Sequence, residues 1–166
     1  MTKNWMKKTI LVAGATGNLG ERIVKSLILQ GAEVNTIVRS DTGIAKIEKL
    51  KAIGAIVLTL QHWNKEELTK ACAGAACVVS ALAGLRNVII DAQTILLDAA
   101  VAAGVPRFIP PDYSLDFTKF THGENRNLET RREFHAYLKN APIKATSIFN
   151  GAFMDMLTGQ MPWKQL

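Results

Sequence analysis

The sequence predicts an α/β fold: a doubly wound parallel sheet with strand order 3-2-1-4-5-6. Three observations predict it. Short apolar runs alternate with stretches of helical apolar spacing along the chain. Several runs are continuously apolar, as strands covered on both faces by helices must be. The first run opens into a glycine-rich turn, GATGNLG, that leads straight into a helix.

Taken in order, Ile10, Leu11 and Val12 form the first strand, and Ile23, Val24 and Leu27 line one side of the helix behind the turn. Gly31 closes that helix, and a second apolar run ends at Arg39. Asp41 reads as an N-cap for a helix carrying Ile44, Ile47 and Leu50, closed by Gly54. AIVLTL, 55–60, reads as a strand buried on both faces. Asn64 caps a short helix, and CVVSAL, 77–82, is the next buried strand. Leu85 to Ala103 reads as the longest helix, apolar over so much of its circumference that it needs a partner besides its own sheet. RFIP begins a fifth strand, residues 111–126 are polar and irregular, a helix runs from about Asn127 to Lys139, and KATSIF, 144–149, is the sixth strand.

A chain of 166 residues with 48% hydrophobic and 20% charged content supports one domain with a substantial core. No apolar stretch approaches the ~20 residues of a membrane span, and TILVAGA is too short and glycine-broken for a secretory signal. Cys72 and Cys77 are spaced neither as a redox pair nor as zinc ligands, so no metal is expected and the cytoplasm is the expected compartment. The net charge of +6 comes from cations scattered over separate elements with no aromatics between them, so a nucleic-acid partner is not expected. Attraction for an anionic cofactor explains the balance more simply.

The glycine turn is the chemical centre of this reading. Gly14 permits a tight turn, Gly17 lets backbone N–H groups approach a pyrophosphate, and Gly20 lets the helix pack close to the sheet. The helix N-terminus adds N–H donors and partial positive charge. Arg39, where a ribose-reading acid often stands, suits a 2′-phosphate, with Lys46 as a second cation. The expected cofactor is therefore NADP(H) in preference to NAD(H). Ligands of such sheets lie at the carboxyl ends of the strands. That rule adds His62 near an adenine, Ser80 and Ala81 beneath the cofactor, Leu82 and Ala83 beyond them, Pro110, Pro111 and Tyr113, and Asn150 and Phe153.

In combination, GATGNLG, VRS after strand two, SALAG after strand four, AAVAAGVPRFIPPDYS and SIFNGAF resemble the NmrA-like branch of the atypical short-chain dehydrogenases, which includes relatives of the plant isoflavone reductases. The resemblance covers residue 8 to about 157. It implies NADP(H) binding, with Gly14, Thr16, Gly17, Asn18 and Leu19 at the pyrophosphate, Arg39 and Lys46 at the 2′-phosphate, and Ala81 to Ala83, Pro110 to Tyr113 and Asn150 to Phe153 beside ribose and nicotinamide. Members are reductases of quinones, aldehydes or phenylpropanoids, or regulators that sense NADP redox state.

Two departures qualify what is carried over. The Tyr-xxx-Lys pair of ordinary short-chain dehydrogenases is absent: Phe117 stands four residues past Tyr113, and Ala141 four past Tyr137. A lysine that plant-type members place on the helix after strand five aligns with Thr130 to Arg132, leaving Tyr113 and Lys119 as weak catalytic candidates. Members also run on past the SIFNGAF segment to build a substrate pocket. The resemblance therefore implies that 1–166 is a single cofactor-binding domain with the substrate part largely missing. The broad apolar helix and a terminal cluster of Phe153, Met154, Met156 and Leu157 would then seek a partner surface, such as a homodimer. Three functions remain open on the residues: an NADPH-dependent reductase of a small carbonyl or quinone, a non-catalytic NADP(H) sensor or regulatory interaction protein whose 111–126 loop is ordered by the cofactor, and a site for another nucleotide such as a methyl donor.

Overall fold

The computed structural model describes residues 8–153 apart from residue 124. Six parallel strands form one sheet in the order β3-β2-β1-β4-β5-β6: β1 (Thr9–Ala13), β2 (Glu33–Arg39), β3 (Ile56–Leu60), β4 (Cys77–Ser80), β5 (Arg107–Ile109) and β6 (Lys144–Ala145). This is the predicted doubly wound topology, with strand order reversing between β1 and β4. Helices α1 (Asn18–Leu29) and α2 (Ile44–Ala52) pack on one face, and α3 (Lys65–Cys72), α4 (Gln93–Ala102) and α5 (Arg126–Asn140) on the other.

The pleat of β1 explains why two cores form. Leu11 and Ala13 point to the α3–α4–α5 side, where they join Val78, Phe108, Leu68, Leu96 and Phe134. Val12 points the other way, to Val34, Val38, Val79, Val24 and Leu50. The register Leu11↔Asn35 and Leu11↔Val78 keeps these sets aligned across the sheet.

Several elements differ from their sequence-based expectation, each for a physical reason. β3 sits at the sheet edge, as the predicted order requires, but it is not buried on both faces: Ile56 is 48% exposed, and an edge strand need not be covered as a central one is. Ladder pairing of β6 covers two residues, not six, because its partner β5 runs into Pro110 and Pro111, which have no N–H to offer. The single helix expected from Leu85 to Ala103 begins as a wider π-helical turn, Asn87–Ala92, before α4. Its broad apolar surface is met within the chain, by α3 on one side and α5 on the other. Asp41 does not cap α2: Gly43 holds the N-cap position, no side chain caps the helix, and Asp41 turns instead to Arg39. Asn64 does cap α3, accepting from the Glu67 N–H at 2.9 Å. Of the expected terminal apolar cluster, residues 154–157 lie outside the described residues.

Candidate functional site

A groove of about 640 Å³ opens at the carboxyl edge of the sheet, over the point where the strand order reverses. Its floor is the turn between β1 and α1. Gly14 has φ +80°, and a Cβ there would lie 2.6 Å from the Ala81 carbonyl carbon, so the β1 and β4 tips touch through bare backbone. A Cβ on Gly20 would fall 2.1 Å from the Gly14 carbonyl oxygen, so this glycine sets how closely α1 approaches the sheet. At Gly17 a Cβ would meet only the Gly14 carbonyl oxygen, at 3.5 Å, an ordinary contact. Gly17 is the N-cap residue of α1 and no side chain caps the helix, which leaves its first N–H groups free of a side-chain acceptor.

Of the residues picked out by sequence, Gly14, Thr16, Gly17, Arg39, Lys46, Ala81, Leu82 and Ala83 line this groove. Asn18, Leu19 and Gly20 form the first turn of α1 behind it, with Gly20 buried and the Asn18 carbonyl oxygen Oδ1 accepting from Arg22 at 2.8 Å. At the far end, Arg39 Nε lies 3.1 Å from Asp41 Oδ1, both side chains standing in solvent, and Thr42, Gly43 and Lys46 complete the wall.

Other residues go elsewhere. His62 is exposed and does not line the groove; its backbone N–H donates to Glu67. The neighbouring Trp63 lines the groove instead, half-buried, with its indole N–H donating to the Ala92 carbonyl at 3.0 Å. An aromatic at the tip of the third strand was the signal available for it. Ser80 is fully buried, and its hydroxyl donates to Gln93 Oε1 at 2.9 Å, so its side chain joins β4 to α4 rather than facing the groove.

Pro110, Pro111 and Tyr113 follow β5, and Asn150 and Phe153 follow β6, all outside the groove lining. The two prolines are buried, Asn150 is exposed, and the Gly151 N–H donates to the Ser114 carbonyl. Burial, with Asp112 and Cys77 beside it, pushes the Tyr113 phenol up to about 12. Lys119 is exposed at the end of a 3-10 turn, Phe117–Lys119, whose Phe117 is buried. Within the stretch Thr130 to Arg132, Arg131 donates through Nε to the Pro111 carbonyl at 3.1 Å.

Sequence reasoning missed a pair in the same region. Asp112, 1% exposed, meets His135 of α5. A second cleft of about 560 Å³ lies between Leu85, Arg86 and α5, but the pairs Arg86–Glu133 and Arg132–Glu129 cross its wall. Among the described residues no helix is long and apolar enough to cross a membrane.

A parallel sheet with a glycine turn, a helix N-terminus and a cationic rim at its switch point defines the Rossmann class of nucleotide-binding domains. The NmrA-like family model matches residues 6–166, and the chain belongs to that family. It is similar to pinoresinol reductase 1 of Arabidopsis thaliana, with 29% identity over 96% of this chain and 54% of that protein. Pinoresinol reductase 2 of the same plant is 31% identical over 95% and 54%. The solved structure of AtPrR2 with NADP+ and (+)pinoresinol superposes with a TM-score of 0.81 at 27% identity, covering 92% of this chain and 53% of that one. The chain thus spans about half the length of the curated relatives it matches.

Proposed function

We propose that the groove binds NADP(H) and that residues 1–166 form one cofactor-binding domain of an NADPH-dependent oxidoreductase acting on a small carbonyl or quinone. The observation that carries this is the pairing of an uncapped, side-chain-free helix start at Gly17 with two cations, Arg39 and Lys46, on the wall after β2. The similar structure that holds NADP+ supports the same choice.

The residues present fit the cofactor. Gly17 leaves space that a side chain would fill, and the first N–H groups of α1 would hold the diphosphate. Arg39 and Lys46 would hold the 2′-phosphate, and Trp63 with Leu82 would give the adenine end an apolar wall. Bound there, NADPH supplies a hydride. The chain's own contribution is to bind and orient it, with the backbone of Ala81 to Ala83 forming the opposite wall.

A reductase is favoured over a sensor by one observation: the similar proteins named above are pinoresinol reductases. The test is a titration with NADPH and NADH read by tryptophan quenching, with Trp63→Phe locating the signal. NADPH oxidation is then followed with a panel of quinones and aldehydes. Binding of NADPH that weakens about tenfold or more in Arg39→Ala supports the reading; equal NADPH affinity in wild type and variant overturns the 2′-phosphate role. A flat oxidation trace with binding intact overturns the reductase.

A further inference from the structure

We propose that Asp41 sets cofactor specificity: its carboxylate competes with a 2′-phosphate for Arg39 and accepts hydroxyls of an unphosphorylated ribose, so that the groove takes NADH as well as NADPH. This rests on the reading of the groove as a dinucleotide site. The geometry is direct. Arg39 Nε is 3.1 Å from Asp41 Oδ1, and both residues line the groove with Thr42, Gly43 and Lys46. Asp41 is therefore inside the charge shell that the phosphate would enter.

Three features make that position consequential. Arg39, Asp41 and Lys46 are the charged residues of the groove lining, so the balance at the rim is set by these three. The pair is exposed, 73% for Arg39 and 68% for Asp41, so little holds it together once a competitor arrives. Asp41 also has no structural duty at α2, whose N-cap position is Gly43 without a side-chain bond. A phosphate of nearly two negative charges gains from two cations and loses to one carboxylate. A ribose hydroxyl has no charge to repel and finds in that carboxylate the acceptor it needs. Discrimination between the cofactors is compressed from both sides.

The experiment is titration of the full chain with NADPH and with NADH, comparing wild type with Asp41→Asn and Asp41→Ala. Removing one exposed charge near the phosphate is expected to tighten NADPH about three- to tenfold in both variants. NADH is expected to weaken, more in Asp41→Ala than in Asp41→Asn, since asparagine retains an acceptor. Affinities for both cofactors within twofold of wild type in Asp41→Asn, or weaker NADPH, overturn this inference alone. A wild-type chain that binds neither nucleotide removes the reading of the groove, and this inference with it.

Discussion

The carboxylate of Asp112 and the imidazole of His135 meet at 2.6 Å, Oδ2 to Nε2, closing the loop after β5 against α5. Ser147 Oγ lies 3.4 Å from the same ring nitrogen. A hydrolytic triad sets its acid and its nucleophile on opposite nitrogens of the ring, so sharing one nitrogen makes this a clasp. It joins three segments at the end of the sheet: the loop, the helix and the chain beyond β6.

Because Asp112 is buried and its second oxygen, Oδ1, has no hydrogen-bond partner, losing His135 strands the whole carboxylate. His135→Ala is expected to cost about 2–3 kcal/mol in urea unfolding. Asp112→Asn, which keeps the shape and removes the charge, should cost less. A loss under about 0.5 kcal/mol in His135→Ala would show the clasp to be incidental.

The three glycines of the turn should separate by role. Gly14→Ala and Gly20→Ala place a Cβ within 3 Å of backbone and are expected to lose about 3 kcal/mol or more, or fail to fold. Gly17→Ala meets no protein atom closer than 3.5 Å. Its stability should stay within about 1 kcal/mol of wild type, while NADPH affinity falls because the methyl enters the cofactor's space. Thermal melts paired with titration distinguish the cases; a Gly17→Ala variant that binds NADPH normally would move the diphosphate elsewhere.

Ser80 offers the complementary case. Removing its hydroxyl leaves the Gln93 side chain, whose Nε2 is already unpaired, without its one bond. Ser80→Ala should destabilise by about 1–2 kcal/mol and leave NADPH affinity nearly unchanged. A large affinity loss with unaltered stability would return Ser80 to the binding site.

Alkaline pH should weaken the fold. Burial pushes the Cys72 thiol up to about 12 and Cys77 to about 11, and Tyr113 rises to about 12. The unfolded chain loses these protons at ordinary values while the folded chain keeps them. Stability is therefore complete below about pH 9 and falls as pH rises toward the folded values, with a limiting slope of about 1.4 kcal/mol per pH unit for each group. Urea unfolding at a series of pH values checks the sign. A flat profile from pH 8 to 11 would mean these groups titrate normally in the fold.

Much of this molecule can be read along the chain because the information is local. Continuous apolar strands, helical spacing and the GATGNLG turn determine a parallel sheet, its order and the mouth of its groove, since each depends on neighbours a few residues apart. The placement of Arg39 at the end of β2 follows from the same logic. Tertiary structure alone decided the rest. How far helices cover the edge strand β3, and that Pro110 and Pro111 stop the pairing of β6, depend on which elements pack beside which. That Asp41 turns to Arg39 instead of capping α2, and that Trp63 rather than His62 faces the groove, depend on the direction in which a side chain leaves a turn, which composition does not encode. The Asp112–His135 clasp joins residues 23 positions apart, so it exists only once β5 and α5 have packed; no periodicity could announce it.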